Sequence, residues 1–119
     1  MREIKFRAWD NLEKRMRKVV SLHWQDDKLV SARLEGDNDP IPIGGRLVIE
    51  QSTGLKDVNG TEICGGDILI DDAGVPIEYW VVKFSEGGFI GECVGVAEPL
   101  FELTNLEVAG NIHELLEEK

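Results

Sequence analysis

The sequence predicts an all-β fold that ends in a short helical turn. Short segments alternate between apolar and polar residues, which is typical of half-buried strands. Turn-forming residues, including 13 glycines and 4 prolines, separate these segments at short intervals. Helical spacing replaces the alternation only after Asn111. The pattern therefore favours a β-barrel or sandwich over alternating strands and helices.

The first 34 residues predict three strands. Residues 3–8 and 15–24 alternate and are joined by a turn at Asp10-Asn11, so they indicate a β-hairpin. A second turn at Asp26-Asp27 leads into a third strand. The side chains expected to face inward are Ile4, Phe6, Ala8, Met16, Val20, Leu22, Trp24, Val30, Ala32 and Leu34.

Residues 35–45 form the clearest loop in the chain. Their sequence, EGDNDPIPIGG, holds two prolines, three glycines and three acidic residues. We therefore place a boundary here and predict an N-terminal β subdomain over residues 1–45. A second β subdomain follows over residues 46–119.

The second subdomain reads as further short strands with turns between them. Asn59-Gly60 predicts a tight hairpin turn with both residues at positive φ. Asn111 and Glu114 have the spacing of a capping box, so they predict the start of the C-terminal helical turn. The expected apolar segments are 46–51, 67–70, 76–84, 89–94, 99–103 and 106–108.

Charge divides unevenly along the chain, whose net charge is −10. Residues 1–33 hold nine basic and five acidic residues, a net of +4, and residues 34–119 hold four and eighteen, a net of −14. Opposite fields favour association and fix its orientation. We expect the basic hairpin to dock on an acidic surface of its own second half or of a neighbouring copy. The candidate binding residues are Arg7, Lys14, Arg15, Arg17 and Lys18.

Two alternatives for the basic hairpin stay open. It could bind nucleic acid, with Trp9 stacking on a base, although the acidic majority of the chain repels a polyanion. It could also be a solvated edge hairpin whose charges prevent aggregation.

Several functional classes lack support in the sequence. The hydrophobic fraction of 42% excludes disorder, and no apolar run approaches the length of a membrane span. Cys64 and Cys93 have no zinc-site spacing, and no residue pattern places either thiol beside His23 or His113. Acidic turns lack the EF-hand pattern, and glycine pairs are too short for a phosphate-binding loop. We expect no enzyme activity, no metal and no cofactor.

The N-terminus lacks the apolar core of a signal peptide. We therefore expect an intracellular protein whose two cysteines are reduced.

The block TGLKDVNGTEICGGDI, residues 53–68, resembles the signature of the YopX family of phage and prophage proteins. The opening REIKFRAWD and the closing EVAGNIHE are similar to the family's ends as well. Cys64-Gly65 and His113 depart from the residues usual in the family. The block also has a structural interpretation, because its glycines suit turns and Asp57 and Asp67 can accept bonds from backbone amides. A charged site formed by Lys56, Asp57, Glu62 and Asp67 is the alternative.

The resemblance implies an irregular N-terminal β part followed by a small SH3-like barrel, here from about residue 46 to residue 110. It assigns no biochemical role. We expect a non-enzymatic, self-associating accessory protein in the cytoplasm of a bacterial host. Its expected partner is a second copy or a phage or host protein, with nucleic acid as the alternative and no membrane.

Overall fold

The computed structural model describes residues 5–117, with side chains described through residue 114. Nearly all of the ordered elements are strands, and one short helix, α1 (Ile112–Glu117), follows the last of them. A 3₁₀ turn spans Leu100–Leu103. The predicted all-β class with a helical turn near the C-terminus is confirmed. The strands are β1 (Phe6–Asp10), β2 (Arg15–Gln25), β3 (Lys28–Leu34), β4 (Ile41–Pro42), β5 (Leu47–Lys56), β6 (Glu62–Cys64), β7 (Asp67–Asp71), β8 (Glu78–Ser85), β9 (Gly88–Cys93), β10 (Val96–Pro99) and β11 (Glu107–Asn111).

The strands form two antiparallel sheets. Their hydrogen-bonded orders are β4-β3-β2-β1-β5-β6 and β10-β9-β8-β7-β11. Within the described residues neither ladder closes on itself, since β10 and β11 are the two edges of the second sheet. The expected closed barrel is therefore wrong in this respect, and the second sheet is open.

The chain divides into two compact units, residues 5–51 and residues 52–117. The predicted boundary at 45/46 falls in the turn before β5, whereas the units divide inside β5. Residues 47–51 group with the first unit because they pair with β1, for example Leu47 with Asp10.

Each unit has its own hydrophobic core. The first core is built from β1, β3 and the start of β5, and the second from β6 to β9 with the 3₁₀ turn. The buried residues of the first are Ala8, Ala32, Leu34 and Leu47. Those of the second are Ile63, Leu69, Trp80, Val82, Cys93, Leu100, Leu103 and Leu106.

The faces of β2 differ from the prediction. Arg17 is buried and Val19 packs against the first core, while Val20 and Trp24 are exposed. Pairing with β3 shifts register between Val19 and Ser21 and again between His23 and Trp24. An extra residue in a strand inverts the alternation beyond it, which explains the exchanged faces.

The turn between β5 and β6 also differs from the prediction. The Gly60 amide donates to the carbonyl of Asp57 at 3.0 Å, and Gly60 has φ of +84°. Asn59 does not adopt positive φ, so the turn closes on Gly60 as its fourth residue and is not type I′.

The predicted cap of α1 by Asn111 is confirmed, and Glu114 pairs with the Asn111 side chain rather than with its backbone amide. The side-chain oxygen of Asn111 accepts hydrogen bonds from the amides of His113 at 2.9 Å and Glu114 at 3.0 Å. The Asn111 amide group in turn donates to the carboxylate of Glu114.

Candidate interaction surfaces

Arg17, which the sequence places among the binding residues, is buried in the first unit. Its Nη1 lies 3.2 Å from Asp10 Oδ2, and its Nη2 lies 2.9 Å from Asp37 Oδ1 and 3.2 Å from the carbonyl oxygen of Glu35. A guanidinium held by two carboxylates and a carbonyl inside a fold serves structure. Arg17 is therefore held inside the first unit and is not exposed on the hairpin as the sequence prediction assumed.

Asp10 is the centre of this buried group. Arg46 binds it in bidentate fashion, with Nε and Nη2 each 3.0 Å from one of its oxygens. The amides of Leu12 and Glu13 donate to the same carboxylate at 2.9 and 3.2 Å. The hydrogen bond from Arg46, with those from the two amides and Arg17, holds the pKa of Asp10 well below its usual range. We call Asp10, Arg17, Asp37 and Arg46 the Asp10 cluster.

Sequence reasoning missed this cluster as a unit. The turn signal at Asp10 was visible, but its arginine partners lie 7 and 36 positions away along the chain. No local pattern joins such residues. Only the pairing of β1 with both β2 and β5 brings them together.

The other four predicted residues do not gather into one basic patch. Arg7 Nη2 lies 3.0 Å from Glu50 Oε1 across β1 and β5. Lys18 is exposed, with its Nζ 3.7 Å from Glu35 Oε2. Lys14 and Arg15 lie at the turn between β1 and β2, where Arg15 Nη2 is 2.7 Å from Glu13 Oε1.

The β1–β2 turn combines basic and apolar exposed groups. Leu12 is 69% exposed and lies two residues before Lys14, which is itself exposed. We call Leu12, Lys14 and Arg15 the hairpin tip. Trp9 is buried and its Nε1 donates to Asn11 Oδ1 at 2.8 Å, so its ring is not exposed for the stacking that the nucleic-acid alternative includes.

The net charges of the two units differ less than those of the two sequence segments. Residues 5–51 hold nine basic and eight acidic residues, a net of +1. Residues 52–117 hold two basic and thirteen acidic residues, a net of −11. The acids that balance the first unit include Glu35, Asp37 and Glu50, each bound to one of its basic residues.

Asp57, in the signature block, binds backbone amides. Its Oδ1 accepts from Asn59 at 2.9 Å and from Thr61 at 2.8 Å, and its Oδ2 accepts from Val108 at 2.8 Å. The bond from the Val108 amide, with those from the turn, lowers the pKa of this buried carboxyl. Asp57 thus fixes its own turn and ties it to β11.

Asp67 and Thr53 have similar roles. Asp67 is buried and accepts from the Cys64 amide at 2.8 Å. The Thr53 hydroxyl donates to the carbonyl oxygen of Ile63 at 2.7 Å and accepts from the Leu55 amide at 3.1 Å. The geometry supports the structural interpretation of these signature residues.

A groove in the second unit is lined by both apolar side chains and carboxylates. Its volume is about 480 Å³, and its apolar lining includes Val58, which is 60% exposed. A neighbouring cavity of about 280 Å³ shares Ile70 and Ala109 with it. The name acidic groove is used for the site lined by Val58, Ile70, Asp71, Asp72, Ala73, Asn105, Leu106, Glu107, Val108 and Ala109.

The β9–β10 turn presents a second apolar feature of the same unit. Val94 and Gly95 have φ of +44° and +81°, and Val94 is 97% exposed. Positive φ is costly for a β-branched residue, so this turn is strained.

The thiols lie in the interior. Cys64 and Cys93 are both buried and free of a disulfide. Over residues 5–117, no group of three or more His, Cys, Asp or Glu side chains is arranged to hold a metal ion. In the same part of the chain, no helix has the length and apolar character needed to cross a membrane.

These features define a two-unit β protein whose signature residues stabilise its turns and whose net charge lies almost entirely in one unit. The family model described as "YopX protein" matches residues 5–117, so the chain belongs to the YopX family. No curated protein matches the chain in sequence.

A solved structure is similar over the whole chain. It is the crystal structure of protein EF1440 from Enterococcus faecalis, with 29% sequence identity and a TM-score of 0.72. The match covers 99% of each chain.

Proposed function

We propose that this protein is a non-enzymatic accessory protein of a phage or prophage, that it acts through protein–protein contacts and that it associates with copies of itself. Its place of action is the cytoplasm of the bacterial host. The supporting observation is the charge of −11 on residues 52–117, in an otherwise nearly neutral chain. A surface of one sign selects and orients a partner surface of the other sign.

The assignment as an interaction protein draws on the signature block as well. Asp57 and Asp67 are occupied by backbone amides, and their contacts are those of turn-stabilising residues. The exposed acidic residues of the same unit remain at the surface, where a partner can reach them.

Light scattering at low and high salt tests self-association. We expect a mass above the 13.3 kDa of one chain that falls as salt is added, because screening weakens contacts between opposite charges. A strict monomer at high protein concentration contradicts the proposal. An affinity pulldown from cells carrying the phage, with and without nuclease, then distinguishes protein partners from nucleic acid.

Nucleic-acid binding by the basic hairpin is the rival proposal. Its support is the exposure of Lys14, Arg15 and Lys18 on one hairpin. A gel shift with Arg15→Gln/Lys18→Gln tests it, because these two residues are exposed and Arg17 stays in place. Binding that falls steeply with salt and is lost in the variant supports the rival, and no shift at low salt removes it.

A further inference from the structure

The acidic groove has the chemistry to receive a segment that is both basic and apolar. Val58 and Ile70 supply apolar surface, and Asp71, Asp72 and Glu107 supply carboxylates. The residues that line the groove include no lysine, arginine or histidine. An incoming cation therefore meets no like charge within the groove itself.

The hairpin tip of the same sequence has the complementary chemistry. Leu12 presents an exposed apolar side chain, and the guanidinium of Arg15 lies at the surface with its side chain 59% exposed. The ion pair of Arg15 with Glu13 is exposed, and exposed pairs are weak, so Arg15 can exchange this partner for another carboxylate.

The hairpin tip is also held in one conformation. The side chain of Asp10 accepts from the amides of Leu12 and Glu13, and its carbonyl accepts from the Lys14 amide at 2.7 Å. A segment that is ordered before binding loses little entropy on binding.

We propose that the hairpin tip of one copy binds in the acidic groove of a second copy. Leu12 packs against Val58 and Ile70, and Arg15 lies among the carboxylates of Asp72 and Glu107. This inference rests on the proposed self-association and assigns it a contact. The contact joins two different surfaces, so each copy offers one tip and one groove. Two copies can then close a reciprocal pair, or the association can continue head to tail.

Two double variants of the full chain test the contact by sedimentation velocity. The tip variant is Leu12→Ser/Arg15→Gln, and the groove variant is Asp72→Asn/Glu107→Gln. Each is expected to weaken self-association at least about tenfold, because it removes one side of the contact while the partner surface stays intact. Thermal melts establish that both variants are folded.

Two matched control variants remove side chains of the same types at positions outside the hairpin tip and the acidic groove. Trp24→Ser/Lys28→Gln removes an exposed apolar side chain and a basic residue at the β2–β3 turn. Glu86→Gln/Glu102→Gln removes two exposed carboxylates of the second unit that do not line the groove. Both controls are expected to associate like the wild type.

Mixing the two variants gives the sharpest result. The tip variant keeps an intact groove, and the groove variant keeps an intact tip. We therefore expect a one-to-one pair that is held by a single tip-in-groove contact and does not grow further.

The possible contrary results separate the two proposals. Variants that associate like the wild type, or a mixture that forms no pair, overturn this contact and leave self-association standing. A wild type that stays monomeric overturns both.

Discussion

Asp10 is fully buried, and two arginines and two backbone amides surround its carboxylate. Burial of a lone charge is costly, whereas a charge with its hydrogen bonds satisfied is tolerated. Removing one partner leaves the others with unsatisfied charge, and this is the main energetic consequence of the Asp10 cluster.

Arg17→Ala is expected to lower the free energy of unfolding by about 3–5 kcal/mol, because it leaves the buried Asp10 carboxylate short of one partner. Arg15→Ala is the matched control, since Arg15 is exposed, and it should change stability by no more than about 0.5 kcal/mol. Urea unfolding of both variants measures the difference. Equal effects would show that Arg17 has no structural role beyond that of a surface arginine.

Asp10→Asn is expected to flatten the acid limb of the stability profile. The pKa of Asp10 is lowered in the folded protein from an ordinary value of 3.8. Its contribution is therefore complete above that ordinary value and is lost as the pH falls toward the lower pKa of the folded state. Urea midpoints measured from about pH 6 to about pH 2 should fall more steeply for the wild type than for the variant. Parallel profiles would contradict the assignment.

At the scale of elements, buried acidic residues of the signature block hold turns to strands by hydrogen bonds. Asp57 links the β5–β6 turn to β11, and Asp67 binds the amide of Cys64 at the end of β6. Asp57 accepts bonds from three amides with its two oxygens, which a carboxylate can do because both oxygens are acceptors.

Asp57→Asn is expected to cost about 1–3 kcal/mol, since the amide group of asparagine would meet the Val108 amide donor to donor. Hydrogen exchange should accelerate at Val108 more than at amides of the first unit. Asp71→Asn is the control, because Asp71 accepts from Ala73 in an exposed turn and asparagine can do the same. A protected Val108 amide in the Asp57 variant would refute the link.

Val94→Asn is expected to raise the free energy of unfolding by about 1 kcal/mol. A two-residue turn with both residues at positive φ favours asparagine followed by glycine, and Gly95 already fills the second place. Val96→Asn, in the adjoining strand, should give no such gain. An unchanged or lower melting temperature for Val94→Asn would show that the turn is not strained.

The positions of the secondary-structure elements were easier to predict from the sequence than which face of each strand is buried. The hairpin of β1 and β2 and the cap at Asn111 follow from local patterns, which is why both were found. The exposed positions of Val20 and Trp24 depend on bulges, and a bulge is set by pairing with β3 rather than by the residues of β2 alone. Arg17 was placed among surface residues because its partner Asp37 lies 20 positions away, in a loop that no local pattern joins to β2.

At the scale of the whole molecule, the net charges of the two structural units differ from those of the two sequence segments. Segments of +4 and −14 in the sequence become units of +1 and −11 in the structure, because residues 34–51, with one basic and four acidic residues, belong to the first unit. The second unit therefore accounts for the net negative charge of the two units. The signature block identifies the family, but no motif in the sequence indicates which partner binds the acidic second unit.

Salt is expected to stabilise the dilute protein. Screening reduces the repulsion among the carboxylates of the second unit, so the melting temperature should rise from about 20 to about 300 mM NaCl. The control variant Glu86→Gln/Glu102→Gln should begin higher and rise less. A melting temperature that falls with salt would indicate that ion pairs outweigh the repulsion.

The course of β5 has a consequence for recombination within the family. Its first half completes the ladder of β1, and its second half pairs with β6. A chimera joined at 45/46 would give β1 a strand of foreign sequence beside Ala8, at the centre of a packed core. Exchange of intact modules between relatives therefore requires a crossover after Gln51, so that the first unit carries its own half of the strand.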